Sequence, residues 1–159
     1  MLATLIALAA AQAQPACPAT PVPLPAELAG WRSDLTAAAA ADAKAAAVLP
    51  IGQGARASLH PSEHVAFPVK PAKPGPGAHG GLLAFDAARA GRYRVALETP
   101  GWIEVVRDGR AVPSISHAHG PACSGIRKMV DFDLQPGRHL LEIAGAPDAS
   151  VTVMVTYLR

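Results

Sequence analysis

From Val48 onward the chain alternates apolar and polar positions in short runs. GLLAFD (81–86), YRVALE (93–98), WIEVV (102–106) and AVPSISHAH (111–119) each read as a half-buried strand. So do IRKMVDFDL (126–134), HLLEIAG (139–145) and SVTVMVTYL (150–158), with RASLHP (56–61) and HVAFPV (64–69) as weaker candidates. Turn residues punctuate the runs at Pro100-Gly101, Gly120-Pro121, Pro136-Gly137 and Ala146-Pro147-Asp148, and Asp108-Gly109 is a strong hairpin signal. About eight strands at this spacing, without strand–helix alternation, predict an all-β fold: an antiparallel β-sandwich or jelly roll.

The period of two also assigns faces. Tyr93, Val95 and Leu97 share one face of their strand, opposite Arg94 and Glu98. Val151, Val153, Val155 and Tyr157 do the same in the last strand. In IRKMVDFDL the apolar face carries Ile126, Val130, Phe132 and Leu134, but also Lys128. An ammonium there must reach water at an open strand end, or else line a ligand pocket beside Arg127.

The chain before Val48 has another texture. Residues 48–159 are expected to form the sandwich and 14–47 a Pro/Ala-rich N-terminal arm. QPACPATPVPLPAELAGWR (14–32) alternates proline with small residues and is expected to run extended, with Trp31 docking it on the body. SDLTAAAAADAKAAA (33–47) is rich in the best helix former, with Ser33 as a cap, yet has almost no large apolar face. It reads as a helix of about three turns or as a flexible linker.

MLATLIALAAAQAQ offers an apolar run followed by the small-x-small pattern Ala11-Gln12-Ala13, although no Lys or Arg precedes the run. Residues 1–13 are expected to be a signal peptide, which places the chain in the periplasm or outside the cell. The run is too short for a permanent anchor, and no later segment reads as transmembrane. Export changes the meaning of the cysteine pair. Cys17 and Cys123 are the only two in the chain, and an oxidising compartment favours a bridge between them. The chain-entropy model gives a loop of that size about 4 to 5 kcal/mol of stabilisation. A metal-bound thiolate and a free thiol are the alternatives.

Composition narrows the chemistry. The 159 residues carry 14 Lys/Arg against 12 Asp/Glu, a surplus spread along the chain without a basic run. Nucleic acid is therefore not an expected partner. No phosphate loop, dinucleotide fingerprint or nucleophile elbow is present, and a Cys–His nucleophile would need Cys123 reduced. Only 4% of residues are aromatic, too few for a sugar-stacking platform.

HAHGPACSGIRK (117–128) concentrates what reactive chemistry there is. His117 and His119 project from one strand face, about 7 Å apart along the backbone. They can hold one copper, zinc or iron ion if a third ligand joins them. His60, His64, His79 and His139 are available in sequence, but nothing there places them near the pair. The same stretch, with Arg127 and Lys128, is the expected ligand-binding loop.

The run WIEVVRDGRAVPSISHAHGPACSGIRKMVDFDLQPGRHLLEIAG resembles a group of small exported bacterial proteins without an established chemistry. Some of these carry the name homogentisate 1,2-dioxygenase. That name implies a non-haem iron site of two histidines and a carboxylate in a much longer cupin-type chain. His117 and His119, with Glu142 or Glu104, are the residues it would draw on here. No cupin motif spacing fits, and catabolic dioxygenases of that kind work in the cytoplasm. AGRYRVAL and PGRHLLEI are also similar to strands of prepeptidase C-terminal-type β-sandwich domains. Two functions follow as expectations. One is a non-catalytic accessory or binding protein that needs no cofactor and meets a small ligand or an envelope partner. The other is a metal-binding protein or metal-dependent enzyme built on His117 and His119.

Overall fold

The computed structural model describes residues 16–72 and 78–159, so the leader expected over 1–13 lies outside the described residues. The chain forms β1 (Leu35–Ala38), β2 (Ala47–Val48), β3 (Gly54–Ser58), β4 (His60–Pro61), β5 (His79–Ala87) and β6 (Gly91–Leu97). It continues through β7 (Trp102–Arg107), β8 (Arg110–Ala111), β9 (Ser114–Ala118), β10 (Lys128–Leu134), β11 (Gly137–Ala146) and β12 (Ser150–Tyr157). One six-stranded sheet has the order β1-β3-β12-β6-β10-β9; the other runs β2-β5-β11-β7-β8, with β4 paired to β5. The fold is a β-sandwich, as the alternating pattern predicts.

Between the sheets, the inward set of β6, β10 and β12 meets that of β5, β7 and β11. Tyr93, Val95, Leu97, Val130, Phe132, Val153 and Val155 pack against Leu83, Phe85, Ile103, Val105, Leu141 and Ile143. Fully burying such side chains contributes about 1.5 to 3 kcal/mol each, before entropy is charged against it. Tyr93 adds a directional tie. Its hydroxyl donates to the Arg89 carbonyl at 3.0 Å, pinning the turn that feeds β6.

Three expectations need correction. Residues 33–47 are neither a three-turn helix nor a linker. They supply β1, a short 3-10 turn at Ala43–Ala45, and β2. A helix here would have no apolar stripe to bury, whereas the extended backbone completes two open edges. β1 joins β3 and β2 joins β5, both in parallel, so the sheets are mixed although every pairing among the later strands is antiparallel. Second, AVPSISHAH breaks at Pro113, with β8 in one sheet and β9 in the other. Proline has no N–H to give a ladder. Third, HVAFPV is not a strand. Ser62–His64 make a 3-10 turn, and the chain then lies across the outside of a sheet.

Each sheet therefore has a covered outer face. On the first, the 3-10 helix Ala26–Arg32 buries Leu28 and Trp31 against Ala96, Met129, Met154 and Ile126. Trp31 docks the arm, as expected, but residues 26–32 are not extended as expected: they turn into this 3-10 helix, which brings Leu28 and Trp31 onto the sheet together. On the second, Ala46 and Val65 bury Leu82 and Ala84, with Phe67 beside them. Among the described residues no helix is long and apolar enough to cross a membrane.

Candidate functional site

The Cys17–Cys123 disulfide is present, joining Cα atoms 5.5 Å apart across 106 positions of sequence. It bonds the arm to the 117–128 corner. Cys123 sits at φ +59° and Gly125 at φ +79°, in the left-handed region. Gly125 fits the turn because glycine adopts this φ without the strain a side chain would bring. Ser124 is buried, and its hydroxyl accepts the Ile126 N–H at 3.0 Å, while its own N–H reaches the Pro121 carbonyl at 3.1 Å. Ile126 belongs to the cluster under Trp31. The corner is thus held twice, by sulfur and by packing, and Cys123 is removed from nucleophilic and metal-binding roles.

On this base β9 and β10 present His117 and Lys128, and the residues just beyond their ends present His119 and Arg127. β9 is an edge strand, and His117 stands opposite Val130 on the core-facing side of the sheet. His117 stays exposed all the same. His117, His119, Arg127 and Lys128 line one cleft of about 270 Å³ with Pro100 and Ala118. The structure brings together all four residues singled out in this stretch. His119 Nδ1 lies 3.0 Å from the Arg127 carbonyl oxygen, which can only accept, so the ring donates from Nδ1 and keeps its lone pair on Nε2. Lys128 is at the strand's open end. Its ammonium donates to the Gly101 carbonyl at 3.0 Å and stands 5.4 Å from the centre of the Trp102 ring. Among the described residues no carboxylate lines the cleft.

The remaining candidates are dispersed. Among the described residues no three of His, Cys, Asp and Glu gather as a metal site. Glu142 and Glu104 are cross-strand partners on β11 and β7, on the outer face of the second sheet. They do not complete a site with the histidine pair. His60 Nε2 lies 2.9 Å from the Ala39 carbonyl oxygen. His139 is buried and stacked on Phe85, with ring centres 5.4 Å apart. Burial drives its pKa down, despite the bond from Nδ1–H to the Gly137 carbonyl. No protein-family model and no curated protein matches the chain.

Glu142 has a further peculiarity that the strand pattern alone leaves out. It is 1% exposed; Oε1 accepts the Val69 N–H at 2.9 Å and Oε2 has no hydrogen-bond partner among the described residues. Burial foremost, and the charge of Glu104, push its pKa up to about 7, against the Val69 hydrogen bond. One signal was available. The outer-face positions around it on β11 are Leu140 and Ala144, and an apolar outer face implies a cover.

Proposed function

We propose that this protein is a non-catalytic binding module of the periplasm or cell exterior, whose 117–128 corner receives an anionic group of a small ligand or envelope partner. The observation that carries this is the cleft lined by His117, His119, Arg127 and Lys128 and, among the described residues, by no carboxylate. Two permanent cations and two imidazoles on a pinned turn form an anion-accepting surface with little ordering entropy left to lose. The disulfide supports an oxidising compartment. Binding of inorganic phosphate and of citrate, followed by amide chemical shifts, tests the reading. Shifts confined to 117–128, with at least tenfold weaker binding in an Arg127→Ala/Lys128→Ala double variant, are expected. Equal binding by that variant refutes it.

A second reading takes the histidines as metal ligands, and one observation favours it. The Arg127 carbonyl fixes His119 with its Nε2 lone pair available, the kind of outer partner that orients metal-binding imidazoles. Zinc or copper titrated into metal-stripped protein separates the two. Stoichiometric uptake that is lost in His117→Ala/His119→Ala favours the metal.

A further inference from the structure

On the outside of the second sheet, residues 65–71 form a strap that crosses β5 and β11. Val65 is buried against Leu82 and Ala84, and Pro71 is buried at the far end. Phe67 lies over Gly80, where a Cβ would come within 2.8 Å of the ring's Cζ. Ala66 donates to the Ala41 carbonyl at 2.8 Å. One side chain of the sheet reaches back to hold the strap: Glu142, through the Val69 N–H at 2.9 Å.

That hold has an unusual charge environment. From β7 Glu142 faces Glu104, whose Oε2 already accepts the Trp102 indole N–H at 3.2 Å. From β5 its register partner is Leu82, which brings no charge. In the strap the side chain of Lys70 is exposed. Along β11 the next cation is Arg138, four residues away, which donates to the Ala46 carbonyl at 3.4 Å. Arg138 makes no ion pair with Glu142. The buried Glu142 carboxyl therefore has a second carboxylate as its cross-strand neighbour and no ion pair with a cation among the described residues.

Two occupants can relieve such an arrangement, a metal ion or a proton. A calcium ion takes six to eight oxygens and magnesium keeps several waters. Two carboxylates, one sealed from solvent, cannot supply that shell. A proton needs no shell and no volume. We propose that Glu142 and Glu104 form a proton-operated latch, in which protonated Glu142 keeps the 65–71 strap closed and its ionisation releases the strap to uncover the apolar face at Leu82 and Ala84.

The linkage gives the direction. In the closed state Glu142 holds its proton up to about pH 7, and in an opened, hydrated state it releases it near 4.5. Opening then liberates one proton between those values. The open population rises about tenfold per pH unit across the window, ~300-fold in all, and levels off above about pH 7.

Hydrogen exchange of the whole protein tests this, with each amide corrected for the intrinsic base-catalysed rate. Protection at Val69 and Ala66 is expected to fall with that slope from pH 5 to 7 and then flatten, while Val153 in the centre of β12 stays protected. Glu142→Gln should hold Val69 protection constant with pH. Glu104→Gln should shrink the fall, because one source of the raised pKa is gone. A pH-independent Val69 in the wild type overturns the proposal. So does a Val153 amide that follows Val69, since opening would then be global unfolding. An unchanged total fall in Glu104→Gln, levelling off at the same pH as the wild type, overturns it as well, even if Glu142→Gln does not fold.

Discussion

Arg94 grips Asp131 with two parallel hydrogen bonds, Nε to Oδ1 at 2.7 Å and Nη2 to Oδ2 at 2.9 Å, on the outer face of the first sheet. Ser116 adds a third bond to the carboxylate at 2.9 Å, so one group links β6, β10 and the edge strand β9. The arm closes over the group, with Glu27 3.9 Å from the same guanidinium.

Breaking this group from one side should be costly. Arg94→Met leaves a buried carboxylate without its cation and should destabilise by about 3 kcal/mol in chemical denaturation. Glu27→Gln removes only a half-exposed partner at longer range and should cost less than about 1 kcal/mol. Similar losses for the two variants would contradict this ranking.

The same carboxylate makes the fold acid-sensitive. Burial raises the Asp131 pKa, but hydrogen bonds from Arg94 and Ser116 and the charges of Arg94 and Arg92 outweigh it, leaving the value below 3.8. A depressed folded pKa means stability that is complete above the unfolded value and lost as pH falls through the folded one. Asp131→Asn should show a smaller loss of stability below pH 4, in melts followed by near-ultraviolet circular dichroism.

Glu142 acts with the opposite sign. Its folded pKa of about 7 lies above the unfolded 4.5, so the folded state keeps a proton that the unfolded chain releases. Stability from this group falls as pH rises from 4.5 to 7, by about 3 kcal/mol, and is constant beyond. Glu142→Gln should match the wild type near pH 4 and exceed it at pH 8. Urea midpoints at the two pH values measure the difference.

His139 opposes that trend over part of the same range. Its pKa is held below 6.5 by burial, so the unfolded chain takes up a proton that the folded one refuses, and stability drops as pH falls below 6.5. His139→Phe keeps the stacking on Phe85 and removes the buried, unpartnered Nε2. It should be more resistant to acid than the wild type in thermal melts at pH 5.

The disulfide closes a loop of 106 positions, for which the chain-entropy model gives about 4 to 5 kcal/mol. Cys17→Ser/Cys123→Ser should lower the melting temperature and make it insensitive to dithiothreitol. Because Leu28 and Trp31 remain packed on Met129 and Met154, the 3-10 helix at Ala26–Arg32 should stay docked. Trp31 fluorescence maximum reports this; a red shift to the fully hydrated value would show that sulfur alone holds the arm.

Much of the molecule could be read from one dimension, because a strand with one face in a core must alternate. Tyr93, Val95 and Leu97, or Val151, Val153 and Val155, can satisfy water and core in only one register, and the sheets follow. The cysteine pairing was equally legible, there being two sulfurs and one way to join them. Residues 33–47 were not: Leu35 and a run of alanines carry no period, and only the open edges of β3 and β5 made them strands. Glu142 shows the other side of this. Its place in HLLEIAG marks an outward position, which by itself means water; a strap brought from residues 65–71 made that position dry, and a cross-strand neighbour made it a carboxylate facing Glu104. Local alternation fixes which way a side chain points, but its solvent, its charge partners and hence its proton depend on chain segments distant in sequence.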